Sequence, residues 1–138
     1  MVSVLYYSMT GSTKKMATAI AEELGVEALD VKKAASVPQD GVLFMGSGCY
    51  GDKPGDDMAK FIAAHDFAGR KVALFGTSGA GAGREVDAMA EALKNKGATV
   101  LGTYHSKGRA FVLVNIGHPS KDELDGARKF AAEMAKLG

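Results

Sequence analysis

Met1-Val-Ser-Val-Leu-Tyr-Tyr-Ser-Met-Thr-Gly-Ser-Thr13 is the stretch whose reading decides the fold. The apolar, β-branched and aromatic run from Val2 to Tyr7 predicts a strand. At Ser8 it gives way to hydroxyls and glycine. Met16, Ala17, Ile20 and Leu24 then recur three and four apart, as on one face of a helix. Strand, hydroxyl-rich loop and helix start bring free amides and the positive end of a helix dipole to one point, which suits an anion. Ser8, Thr10, Ser12 and Thr13 add hydroxyl donors that can surround a phosphate monoester. No lysine lies inside the loop and no Gly-Lys-Ser/Thr ends it, so it is not a nucleoside-triphosphate loop. The dinucleotide pattern Gly-x-Gly-x-x-Gly is also missing here. An ordinary turn and helix cap share this composition, so the loop alone leaves both readings open.

Outward from that stretch, the first helix is expected from Ser12 to Leu24, stopped by Gly25. Val26 to Val31 reads as an edge strand, and Lys32 to Asp40 as a helical turn. Val42 to Met45 is uniformly apolar, as a strand covered on both faces should be. It leads into a second glycine-rich loop, Gly46 to Gly55. Met58, Phe61 and Ile62 mark a helix capped by Asp56 or Asp57. Lys71 to Phe75 is another apolar strand, followed by a third such loop, Gly76 to Gly83. Val86, Met89, Ala90 and Leu93 then face the sheet from a helix that Gly97 ends. Thr99 to Tyr104 is the next strand, while Phe111 to Val114 is either a short strand or a covering loop. Ser120 and Glu123 form a capping box for a helix whose core face is Leu124, Ala127, Phe130, Met134 and Leu137.

Strands alternating with helices imply parallel pairing, right-handed crossovers and a doubly wound sheet. Ligands of such sheets bind beyond the carboxyl ends of the strands. The three loops at 8–13, 46–55 and 76–83 all leave strand carboxyl ends, so they share one edge. One phosphate needs one loop. Two further loops, rich in glycine and poor in ionisable groups, fit a flat heteroaromatic ring with polar edges.

The 138 residues suit one domain, with 46% hydrophobic and 24% charged residues. A formal net charge of +1 suggests neither nucleic acid nor a membrane surface as partner. Cys49 is the single cysteine, which excludes an internal disulfide and fits a reducing cytoplasm. The first residues lack the basic start of a signal peptide, and no apolar run reaches the ~20 residues that span a bilayer.

Ser8-x-Thr10-Gly11-x-Thr13 after Val-Leu-Tyr-Tyr resembles the phosphate loop of the flavodoxins, which bind flavin mononucleotide (FMN), and the likeness extends over nearly the whole chain. It implies a short-chain, flavodoxin-like five-stranded parallel sheet of order 2-1-3-4-5, with helices on both faces and residues 1–138 as one domain. It also implies an electron carrier between redox partner proteins, a reductase or ferredoxin-dependent enzymes, that dock at the loop edge. By the resemblance, Ser8, Met9, Thr10, Gly11, Ser12 and Thr13 hold the phosphate. Ser47, Gly48, Cys49, Tyr50, Gly51 and Asp52 lie along one edge of the flavin ring, with Tyr50 covering a face. Gly51 matches the glycine whose peptide turns on reduction. Thr77, Ser78, Gly79, Ala80 and Gly83 form the opposite loop.

The chain departs from the family pattern in places. Ala80 stands where an aromatic is usual, leaving one ring face either open or closed only by backbone. There is no tryptophan, and Lys53 stands where acids are common, with Arg84 close by. The near-neutral balance also differs from a typically acidic family. These departures bear on reduction potential and tightness of flavin binding, not on the flavin itself.

Ala80 keeps alive a second class, an FMN reductase or reductase subunit whose open flavin face takes a small molecule. A third class, a phosphorylated receiver module, needs an acidic cluster after the first strand and an aspartate after the third, and Ser8–Thr13 and Gly46–Cys49 supply neither. His65, His105 and His118 are too scattered to argue a metal site, and Cys49 has no partner cysteine. Asp56 and Asp57 are explained by a helix N-terminus. Lys32-Lys33 and Lys107-Gly-Arg109 read as solvated charges, or as a docking patch for an acidic partner.

Overall fold

The structure is a computed structural model that describes residues 2–9, 11–39, 41–50, 53–78, 82–107 and 119–138. The chain runs β1 (Val2–Tyr7), α1 (Ser12–Leu24), β2 (Ala28–Asp30), a 3-10 turn (Val31–Lys33), β3 (Val42–Tyr50) and β4 (Lys53–Pro54). It continues through α2 (Asp56–Ala64), β5 (Lys71–Ser78), α3 (Arg84–Asn95), β6 (Thr99–Lys107) and α4 (Lys121–Ala135). Sheet order is β2-β1-β3-β5-β6, with every pair on this path parallel. β4 is two residues long and pairs antiparallel with the end of β3, Cys49 facing Pro54 and Tyr50 facing Lys53. Without it, the order is the expected 2-1-3-4-5.

Parallel strands and crossovers leave α1 to α4 running back against the sheet, with their N-termini at the strand carboxyl ends. On one face α2 and α3 bury Met58, Phe61, Ile62, Val86, Met89 and Leu93 against Leu5, Leu43, Met45, Val72 and Leu74. On the other, α1 and α4 bury Met16, Ile20, Ala127 and Phe130 against Val4, Phe44, Ala73 and Phe75. Each large apolar side chain so buried stabilises by about 1.5–3 kcal/mol. At the end of α2 remote from the loop edge, the Lys96 ammonium donates to the carbonyls of Ile62 (3.0 Å), Ala63 (2.8 Å) and His65 (2.6 Å). That satisfies carbonyls the helix itself leaves unpaired.

Several boundaries differ from the sequence reading. β2 is shorter than Val26–Val31. β3 continues through Gly46-Ser-Gly-Cys-Tyr50, and β5 through Gly76-Thr-Ser78, where loops were expected. Glycine is tolerated there because both strands are paired on each side, and because Gly46 makes room for its neighbour: a Cβ on Gly46 would collide with the Phe75 ring. α2 is not capped by Asp56 or Asp57. Its N-cap is Gly55, and the two aspartates lie in the first turn, where their charge favours the dipole. Leu137 is 51% exposed, past the end of α4, and does not join the core. The Ser120–Glu123 capping box forms as expected. The segment around Phe111 lies outside the described residues.

β6 carries an irregularity that matters for the site. Val72 pairs with Val100 but Ala73 with Gly102, so Leu101 is an extra residue. Such a bulge resets which side chains face which way. Beyond it Tyr104 pairs with Phe75 and packs toward α4, where its ring stacks on Phe130 at 5.8 Å, while His105 comes opposite Gly76.

Candidate functional site

The first loop is built on backbone geometry. Gly11 is the N-cap of α1 at φ 92°, a left-handed conformation that side chains disfavour, and no side chain caps the helix. The Ser8 hydroxyl accepts the Gly11 amide at 3.0 Å, closing the turn. The first turn of α1 holds no acid and carries the exposed Lys14 and Lys15 instead. The first turns of α2, α3 and α4 each hold two acids. Among the described residues, then, no first-turn acid offsets the positive end of α1.

Two contacts tie this loop to the others. The Thr13 hydroxyl meets that of Thr77 at 2.8 Å in a buried bond, joining α1 to the end of β5. The Tyr50 hydroxyl accepts the Met9 amide at 3.1 Å, joining β3 to the first loop. Tyr50 is half-buried, meets Tyr7 edge-on at 5.9 Å and lies over Gly48, where a Cβ would come within 2.7 Å of the hydroxyl. Burial pushes the Tyr50 phenol above its usual range, and the Met9 hydrogen bond pulls it back in part. Ser47 is fully buried and accepts the Gly55 amide at 2.9 Å, which holds the turn into α2. Tyr7 in turn carries the Lys32 ammonium 5.7 Å from its ring centre, so Lys32 is not simply solvated.

Ser8, Met9, Gly11, Ser12, Thr13, Ser47, Gly48, Cys49, Tyr50, Thr77, Ser78 and Gly83 therefore gather at one sheet edge, from the first loop and the start of α1, the ends of β3 and β5, and the N-cap of α3. Thr10, Gly51, Asp52, Gly79 and Ala80 lie outside the described residues. Gly83 serves as the N-cap of α3 at φ 76°, with the His105 ring packed where a side chain would stand.

Sequence reasoning missed Glu85. It lies in the first turn of α3, is 0% exposed, and neither carboxylate oxygen has a hydrogen-bond partner among the described residues. Its carboxyl occupies the notch that Gly76 leaves by lacking a side chain. Burial, the dominant influence, pushes its titration above the usual carboxylate range. Its own amide, the Cys49 thiol and His105 favour the charged form, though none meets an oxygen in hydrogen-bond geometry, and Asp87 adds to the rise. The signal in the sequence was Gly76, because a glycine inside a strand marks a close approach.

Among the described residues no group of three or more His, Cys, Asp or Glu could hold a metal ion, and no helix is long and apolar enough to cross a membrane.

Fold and site together define a doubly wound α/β domain whose first loop meets the ends of β3 and β5 on one edge. A family model described as a flavodoxin domain matches residues 3–116. The flavodoxin of Megasphaera elsdenii is 32% identical over 114 residues, covering 75% of this chain and 83% of that protein. The oxidised Flavodoxin 1 of Bacillus cereus superposes with a TM-score of 0.74 at 24% identity, covering 99% of this chain and 98% of its own. Rubredoxin oxygen:oxidoreductase from Desulfovibrio gigas contains the same fold within a longer chain, with TM-score 0.78, 20% identity, and 99% of this chain against 35% of that one. The chain belongs to the flavodoxin domain family. It is an FMN-binding electron-transfer protein that works with redox partner proteins.

Proposed function

We propose that this chain is a cytoplasmic one-domain carrier. It holds the FMN phosphate in Ser8–Thr13, and the ring between Ser47–Asp52 and the Thr77–Gly83 loop. The observation that carries this reading is the start of α1. A left-handed Gly11 N-cap, no acid in the first turn and two lysines there make a helix end suited to an added anion. The donor set fits FMN: amides and hydroxyls for a phosphate dianion, then glycine-rich strand ends where a planar ring can approach backbone closely. Hydrogen bonds to a charged group contribute about 1.5–3 kcal/mol each, so several outweigh any other contact in the site. When bound, the flavin supplies one-electron chemistry. Ser8 fixes the loop, Thr13 and Thr77 lock two loops together, and Tyr50 bridges the first and second.

Partners dock at the same edge, where the exposed Lys14, Lys15, Lys33, Lys53 and Lys107 favour an acidic surface. Thr10→Ala and Lys15→Gln each weaken FMN binding while leaving riboflavin, which lacks the phosphate, nearly unaffected. Equal losses for both ligands sink the assignment. Ala80→Trp separates a carrier from a reductase: a carrier keeps its electron-transfer rate, whereas a reductase loses turnover of its small-molecule substrate.

A further inference from the structure

We propose that the groove between α1 and α4 is a nucleotide subsite. It takes the adenylate half of a flavin dinucleotide (FAD), so the chain binds FAD as well as FMN, with the first phosphate in the same loop. The inference rests on the FMN reading above and extends its phosphate site outward.

The groove has a volume of about 400 Å³, within the range of small-ligand sites. Gly11, Lys14, Lys15, Thr18, Ala19 and Glu22 line it from α1, spaced three and four apart, so they form one stripe along the helix. Leu124 and Arg128, four apart on α4, form the opposite wall. The stripe begins at the Gly11 N-cap, where the FMN reading seats the phosphate. At 1.5 Å per residue it runs about 16 Å to Glu22. A ligand that continues beyond that phosphate therefore enters the groove directly.

The lining changes along the groove in the order in which an adenylate half changes. Nearest Gly11, the exposed Lys14 and Lys15 ammonium groups suit a second phosphate. Farther along, the exposed Thr18 hydroxyl and Glu22 carboxylate suit ribose hydroxyls. Buried Ala19 and half-buried Leu124 give an apolar floor. Beside them the Arg128 guanidinium offers a flat cationic face on which an adenine ring stacks. Arg128 is held in place by Asp125 at 3.0 Å on its own helix and by Glu22 at 3.8 Å across the groove. Lys14, Lys15 and Arg128 outnumber these two acids, so the groove favours an anion. The cavity between α2 and α3 lacks this chemistry. It is walled by Ala59, Ala63, Ala88 and Ala92, and its lysine, Lys96, is engaged by three carbonyls.

Isothermal titration of the apoprotein with FMN, FAD and riboflavin tests the proposal, in wild type, Arg128→Gln and Glu22→Gln. FAD is expected to bind within about tenfold of FMN, and more tightly than riboflavin. Arg128→Gln and Glu22→Gln each weaken FAD about five- to tenfold, while FMN changes by less than about twofold. After loading with FAD and desalting, chromatography of the released flavin recovers intact FAD. FAD affinity no better than that of riboflavin overturns the proposal. So do variants that weaken FMN and FAD alike, variants that weaken neither, and recovery of FMN alone. All of these leave the FMN reading standing as long as FMN binds more tightly than riboflavin. Equal affinities for FMN and riboflavin overturn both.

Discussion

The hydroxyls of Thr13 and Thr77 meet at 2.8 Å, in residues only 1% and 4% exposed. The bond joins the first turn of α1 to the end of β5. Thr13→Val or Thr77→Val alone strands a buried hydroxyl, which costs about 1–3 kcal/mol. The double variant removes both groups and should cost less than the sum. Urea unfolding of the four apoproteins measures the coupling.

Tyr50→Phe keeps the ring and removes the acceptor of the Met9 amide. A neutral hydrogen bond of this kind contributes about 0.5–1.5 kcal/mol. The first loop is then less fixed before the ligand arrives, and FMN affinity is expected to fall by roughly two- to tenfold. Fluorescence titration checks this, and an unchanged dissociation constant shows that the bridge plays no part in binding.

Glu85 makes stability depend on pH. Its folded-state titration is raised, so its favourable contribution is complete below the unfolded carboxylate value of about 4.3 and is lost as pH rises through the folded value. Each unit of displacement corresponds to about 1.4 kcal/mol. Apoprotein carrying Glu85→Gln is therefore expected to gain on wild type between mildly acid and neutral pH. Parallel stability profiles of the two proteins contradict this.

Gly46→Ala is expected to destabilise by about 1–3 kcal/mol, because its methyl collides with the buried Phe75 ring. Phe75→Leu in the same chain should recover part of the loss, as seen in the thermal midpoint of the double variant.

Period and punctuation carried most of the fold into the sequence. The apolar runs at Val42 and Lys71, the capping box at Ser120 and the helix stops at Gly25 and Gly97 were all legible, because each depends on local chemistry. Strand ends were not. Gly46 to Tyr50 and Gly76 to Ser78 read as loop by composition, yet stay in the ladder because neighbouring strands pair with them. The strand-to-helix loop at Ser8–Thr13 was legible as a motif, but the partners of Thr13 and Tyr50 lie 64 and 41 residues away, beyond any local pattern. Glu85 was illegible for the opposite reason. A glutamate in a first helical turn is the ordinary choice for a solvated end, and only the missing side chain of Gly76 turns it inward.

The N-termini of α1 to α4 all point to the loop edge. A chain with formal charge of only +1 therefore still owns a lasting electric moment, trimmed by first-turn acids at α2, α3 and α4 but not at α1. In the field of an approaching acidic protein, such a moment exerts a torque before any surfaces touch. The molecule arrives already turned, so a larger share of collisions presents the loop edge.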